Sequence, residues 1–113
     1  MSTLRRIDIA HSQELFTKIR DFVSLLKKEL LVGEVYLFGS FAKNEIHEGS
    51  DIDLLIIGDF KERFFDRIGN ILDLTDLPIE PLVYTTEEFE ELKQSGNPFI
   101  TGVLKTAIRL DDK

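Results

Sequence analysis

The longest stretch of periodic hydrophobic residues lies near the N-terminus. Between residues 12 and 31, apolar positions recur every three or four residues and would form one face of a helix. We expect Ser12 to cap the start of this helix and Gly33 to end it. The pattern therefore predicts one long amphipathic helix before the first strand.

Three shorter apolar runs have the composition of β-strands. They cover residues 34–39, 51–58 and 77–85 and are rich in branched and aromatic side chains. The second run is apolar on both faces after its first residues, which is typical of a central strand. Pro81 in the third run has no backbone N–H to donate to a neighbouring strand, which indicates an edge strand.

Further helices are predicted after the second and third strands. Residues 60–74 have helical spacing, and Thr85 with Glu88 forms a capping-box pattern at the start of the next helix. Gly96 would end that helix, and an Asn-Pro pair at residues 97–98 would begin a last one. The order of elements predicts an α/β chain.

The lengths of the connections predict how the strands are arranged. Eleven residues, 40–50, are too few for an ordinary parallel crossover, so the first two strands should be antiparallel, with one short helical turn between them. The connection 59–76 has room for a crossover helix, so the third strand should run parallel to the second. The 113 residues are enough for a single domain, residues 1–113.

The acidic composition narrows the class of partner. The net charge is −7, and a protein that binds nucleic acid without sequence preference needs clustered Lys and Arg, so no direct nucleic-acid partner is expected. There is no apolar run of the length that spans a bilayer and no secretory signal pattern at the N-terminus. The absence of cysteine fits a reducing compartment. We therefore expect a cytoplasmic protein without a membrane partner.

Three carboxylates are predicted to meet at one end of the sheet. Asp51 and Asp53 are two residues apart on a strand and therefore point to the same face, while Ile52 points to the other. Glu80, on the third strand, would return to the same end and face. Hard oxygen ligands of this kind suit Mg²⁺ or Mn²⁺. Glu80 can also be a solvated strand acid.

The end of the first strand supplies the complementary half of a phosphate site. Gly39 allows close approach of the backbone to a ligand, and Ser40 would lie at the start of the short helical turn, where free N–H groups attract an anion. Lys43, one turn later, is either a phosphate contact or an ordinary surface lysine. Together with the carboxylates, these residues predict a site for a nucleoside triphosphate and a metal ion.

The segment "GSFAKNEIHEGSDIDLLI" resembles the Gly-Ser, ten residues, Asp-x-Asp signature of the DNA polymerase β-type nucleotidyltransferases, in particular their minimal members. The resemblance covers about residues 34–85. It implies the nucleotidyltransferase fold, with a small mixed sheet of about three strands and helices mainly on one face. It also implies Gly39 and Ser40 at the triphosphate, and Asp51, Asp53 and Glu80 as catalytic metal ligands.

The resemblance also implies an activity and a partner. Minimal nucleotidyltransferases often accompany a HEPN-domain protein in what resembles a toxin–antitoxin pair, and transfer AMP from ATP to a tyrosine of that protein. A complex of this kind would be a hetero-oligomer. The family commonly has Arg-Gly where this chain has Lys43-Asn44, and Asp where it has Glu80. Two alternatives therefore stay open: a binding module that neutralises its partner by occlusion, and a nucleotidyltransferase acting on a small molecule.

Overall fold

A computed structural model of the chain describes residues 9–40, 42 and 51–111. Its elements follow in the order α1 (Ile9–Glu29), β1 (Val32–Phe38), β2 (Ile52–Gly58), α2 (Phe64–Leu72), β3 (Ile79–Thr85), α3 (Thr86–Gln94), α4 (Pro98–Thr106) and β4 (Ile108–Arg109). Within these ranges, no helix combines the length and the apolar character needed to cross a membrane. The predicted α/β class is confirmed.

The strands form one mixed sheet in the order β3-β2-β1-β4. β1 and β2 are antiparallel, with Phe38 opposite Asp53, and β2 and β3 are parallel, with Asp53 beside Glu80. The predicted strand directions, the central place of β2 and the edge place of β3 are all confirmed. The sheet thus brings the end of β1 and the starts of β2 and β3 to one place.

Helices cover both faces of the sheet. Alternate side chains of β2 point to opposite sides: Leu54 packs in a core cluster with residues of α1 and α2, and Leu55 packs in a second cluster with Phe89 of α3 and Ile100 of α4. The prediction that helices lie mainly on one face is therefore wrong. β2 is apolar on both faces, which is the pattern expected when helices cover both sides of a sheet.

Some boundaries also differ from those predicted. α1 begins before Ser12, which is an interior helix residue, and it ends at Glu29, so that Gly33 lies within β1 rather than ending the helix. A fourth strand, β4, pairs with β1 beyond the three strands that were expected. The predicted helical turn at the start of residues 40–50 lies largely outside the described residues.

Both predicted helix starts near the C-terminus are confirmed. The Thr85 hydroxyl accepts a hydrogen bond from the Glu88 N–H at 3.0 Å, and the Glu88 carboxylate accepts one from the Thr85 N–H at 2.8 Å. Gly96 takes a positive φ of 71° just after α3, and the Asn97 side chain accepts from the N–H of Ile100 at 3.1 Å. These contacts define where α3 and α4 begin.

Two residues of α2 depart from the expected pattern. Phe65 is a large apolar residue, for which a place in the core is expected, but it is 81% exposed. Arg67, in contrast, is buried, and its guanidinium forms a two-point ion pair with Glu88 at 2.8 and 3.3 Å. It also donates to the carbonyl oxygens of Glu62 and Val83. Arg67 therefore joins α2 to α3 around the edge strand β3.

Candidate active site

The register of the sheet places two of the predicted acids side by side. Asp53 and Glu80 are Cα neighbours on the parallel ladder between β2 and β3. Both lie on the face that carries α3 and α4 further along the sheet, while Ile52 and Leu54 are buried in the opposite layer. Asp51 is exposed just before β2 begins. The structure thus brings Asp53 and Glu80 together at this end of the sheet, with Asp51 just before the start of β2.

Gly39 is packed directly against the carboxylate of Asp53. It follows the last residue of β1 and has a φ of 74°, in the left-handed region that favours glycine. A Cβ built on Gly39 would overlap Oδ2 of Asp53, so the position has no room for a side chain. Half-buried Ser40 follows in the same turn, whereas Lys43 lies outside the described residues. Gly39 is thus a point where the backbone reaches the carboxylate site.

The acids next to Asp53 affect its protonation. Burial, a hydrogen bond with Glu80 and the negative charges of Glu80 and Asp51 raise the pKa of Asp53 to about 6. Burial and nearby negative charge disfavour the ionised form of Asp53 when no cation balances the charge. A group that brings positive charge to this end of the sheet would relieve the repulsion.

The donor set fits a divalent cation of the hard type. Carboxylate oxygens suit Mg²⁺ or Mn²⁺, and Mg²⁺ commonly takes only one or two protein carboxylates and completes its shell with water and substrate phosphates. In the described part of the chain, no three Asp, Glu, His or Cys side chains form a group that would hold a metal ion by themselves. Asp53 and Glu80 are the neighbouring carboxylates that would hold such an ion together with a substrate phosphate.

α4 lies beside the end of β1, an arrangement that was not predicted from the sequence. Phe99 is 49% exposed and its ring lies edge-on to that of Phe38, with centroids 6.0 Å apart. Gly102, one turn further along α4, has open space where a Cβ would lie. A glycine inside a helical pattern is the one signal that could have pointed here, since glycine is unfavourable in a helix interior. Nothing in the sequence places this helix beside Gly39.

Comparison with known proteins agrees with this geometry. The family model described as "Nucleotidyltransferase domain" matches residues 17–107 of the chain. A curated relative from Methanocaldococcus jannaschii, named "Putative protein adenylyltransferase MJ0604", is 34% identical over 76 residues, which cover 66% of this chain and 73% of the relative. The chain therefore belongs to the nucleotidyltransferase domain family.

A solved structure supports the fold independently. The crystal structure described as "a putative nucleotidyltransferase from Sulfolobus solfataricus" superposes with a TM-score of 0.65 and covers 95% of this chain and 90% of its own. The two chains are 18% identical, so this likeness concerns the fold alone. The nucleotidyltransferase fold expected from the sequence is confirmed.

Proposed function

We propose that this protein is a metal-dependent nucleotidyltransferase that transfers AMP from ATP to a hydroxyl group on a protein. The observation that carries the proposal is the contact of Gly39 with the carboxylate of Asp53, beside Glu80. It joins a turn suited to phosphates to a cluster of acids suited to a cation. The relative named as a protein adenylyltransferase supports a protein as the acceptor.

Each part of the site has a role in this reaction. Gly39 and Ser40 bind the triphosphate through the turn after β1, and Lys43 adds positive charge near the same phosphates. Asp51 and Asp53 would hold Mg²⁺, with Glu80 as the third acid beside them. When bound, the metal ion neutralises charge on the triphosphate and polarises its phosphorus–oxygen bonds.

The transfer itself is an in-line substitution at the α-phosphorus. The acceptor oxygen forms a bond to that phosphorus as the bond to the bridging oxygen breaks, and pyrophosphate leaves with the electron pair. Glu80 accepts the proton of the attacking hydroxyl, a role for which its exposed position at the start of β3 leaves room. The chain's contribution is mainly positioning and charge balance.

We further propose a HEPN-domain protein as the acceptor, with a tyrosine as the modified residue and with this chain acting as its antitoxin. Two observations support a macromolecular acceptor. The signature "GSFAKNEIHEGSDIDLLI" resembles that of the minimal nucleotidyltransferases, and the curated relative is named as a putative protein adenylyltransferase.

The test is a transfer assay with ATP labelled on its α-phosphate, Mg²⁺ and a HEPN-domain protein encoded beside this chain. The wild type and the Asp51→Ala/Asp53→Ala variant are compared, with circular dichroism to verify that both are folded. We expect label on the partner with the wild type and none with the variant.

Two results would redirect the proposal. If the partner is bound and inhibited without label, and the variant inhibits equally well, the chain is a binding module that occludes its partner. If label moves only to a small hydroxyl compound, the acceptor is a small molecule. Transfer that survives loss of both aspartates contradicts the assignment of the site.

A further inference from the structure

A cavity adjoins the proposed phosphate site between the end of β1 and α4. Its volume is about 330 Å³, and it is lined on one side by Phe38 and Gly39 and on the other by Phe99, Gly102 and Thr106 of α4, among others. None of these α4 residues has a role in the transfer reaction described above.

Gly39 lies at the boundary between this cavity and the proposed site. The same residue lines the cavity and contacts the carboxylate of Asp53. Phe38, the other β1 residue of the wall, is the Cα partner of Asp53 across the ladder. A ligand whose phosphates lie at Gly39 and Ser40 therefore has this cavity within reach of its next chemical group.

The walls suit a flat aromatic group. Phe99 is about half exposed, and its edge-on contact with Phe38 holds the two rings at 84° to each other. A Cβ at Gly102 would meet no atom within 4 Å, so the absence of a side chain there keeps the cavity open. Thr106 adds a hydroxyl. Such a slot, mostly apolar with an aromatic wall, is typical of sites that bind a ring by stacking.

We propose that this cavity binds the nucleobase of the nucleoside triphosphate, with Phe99 as its stacking wall and Gly102 as the position that gives it room. This proposal rests on the proposed function, because it assumes that the triphosphate lies at Gly39 and Ser40. Phe99 and Gly102 would then distinguish a nucleotide from a plain polyphosphate.

The direction of the reaction favours the base over the acceptor as occupant. In an in-line substitution, the acceptor oxygen approaches the α-phosphorus from the side opposite to the departing pyrophosphate. Gly39 and Ser40 hold the pyrophosphate portion, and the cavity begins at Gly39. The acceptor must therefore enter from the other side, which makes the cavity a better place for the base than for the acceptor.

Binding measurements separate the base from the phosphates. Isothermal titration calorimetry with Mg²⁺ would compare α,β-methylene-ATP, which carries a base and is not turned over, with tripolyphosphate, which has no base. Two variants alter the cavity: Phe99→Ala removes the stacking wall and Gly102→Leu fills the space. Thr101→Leu, at an exposed neighbouring position of α4, is the matched control for the added bulk.

We expect both cavity variants to bind α,β-methylene-ATP about tenfold more weakly than the wild type, the size of effect seen when a stacked aromatic is removed. Their affinity for tripolyphosphate should be unchanged, and the Thr101→Leu control should match the wild type with both ligands. Loss of affinity for the base-containing ligand alone would support the proposal.

Three results would overturn it. Unchanged binding of α,β-methylene-ATP by both variants would exclude the base from the cavity, and if AMP transfer were then lost, the cavity would belong to the acceptor. Equal weakening of both ligands would mean that the cavity residues support the phosphates and not the base. If the wild type bound neither ligand, the proposed function itself would fail, and the assignment of the cavity with it.

Discussion

Asp53 and Asp111 are acidic residues with opposite surroundings. At the start of β2, Asp53 has Glu80 and Asp51 as its neighbours, and its pKa is raised to about 6. Asp111, just after β4, is buried, and forms a two-point ion pair with Arg109 at 2.9 and 3.0 Å. One acid is held among like charges and the other is held by an opposite charge.

The same contrast separates the two ends of β3. Glu80 near its start adjoins another carboxylate, whereas Glu88, just past its end, is held by the buried guanidinium of Arg67, and hydrogen bonds from Arg67 help to lower the pKa of Glu88. Acids that stabilise the fold are paired with arginine. Within the part of the chain that the structure describes, the acids at the proposed active site form no ion pair with arginine, and the pKa of Asp53 is raised instead.

The largest effect on stability should come from breaking a paired acid. Arg67→Ala removes the ion pair with Glu88 and two hydrogen bonds to backbone carbonyls, so we expect a loss of about 2 to 3 kcal/mol in the free energy of unfolding. The loss is not larger because Glu88 is itself 45% exposed and water screens part of its charge. Urea unfolding provides the measurement.

Arg63→Ala is the matched control, since Arg63 is an exposed arginine at the N-terminal cap of the same helix with no side-chain cap hydrogen bond. It should change stability by no more than about 0.5 kcal/mol. If the two substitutions lowered the free energy of unfolding equally, the ion pair between Arg67 and Glu88 would contribute nothing particular to the stability of the fold.

The next largest effect on stability is expected beside the acids of the proposed active site. Gly39→Ala introduces a side chain at a positive φ and into the carboxylate of Asp53, and should cost about 2 kcal/mol together with transfer activity. Gly33→Ala is the control, because its Cβ would have its nearest neighbour 3.9 Å away, at the carbonyl oxygen of Ile57. If both alanines were tolerated equally, the contact between Gly39 and Asp53 would not constrain the site.

A smaller effect is expected on the way in which stability depends on pH. Burial raises the pKa of Asp111, but hydrogen bonds from Arg109 and from the N–H of Val35 outweigh it and hold the pKa below the ordinary 3.8. Because the folded pKa is the lower one, the stabilisation is present above pH 3.8 and is lost as the pH falls through the folded pKa. Asp111→Asn should therefore cost about 1 kcal/mol at pH 7 and flatten this acid dependence.

Unfolding curves at several pH values between 7 and 2 measure this dependence, with Asp59→Asn, at an exposed position just after β2, as the control. The control should keep the slope of the wild type. An unchanged slope for Asp111→Asn would show that its ion pair with Arg109 does not contribute to acid stability.

Much of this arrangement could be predicted from local sequence signals. The capping box at Thr85 and Glu88 and the Asn97-Pro98 start depend on neighbouring residues only, and both were predicted correctly. The prediction that Asp51 and Asp53 point to the same face of the sheet follows from the two-residue repeat of a strand. Connection lengths then fixed the strand directions, and with them the end of the sheet at which Gly39 and Glu80 meet.

What could not be predicted depends on contacts distant in the chain. β4 has two residues and exists because it pairs with β1, and Arg67 looks like a surface residue until α3 brings Glu88 to it. Phe99 was not singled out, since its position beside Phe38 depends on how α4 packs on the sheet. These are features of packing, for which a single sequence has no periodic or capping signal.

The most direct test of whether Asp53 serves the reaction rather than the fold is to measure both AMP transfer and stability for one variant. Asp53→Asn removes one like charge from the cluster and keeps the shape of the side chain, so AMP transfer should fall by at least about 100-fold, while the free energy of unfolding stays equal to that of the wild type or rises slightly. Retained transfer, or a loss of stability like that expected for Asp111→Asn, would contradict the account, because Asp53 would then belong with the paired acids of the fold.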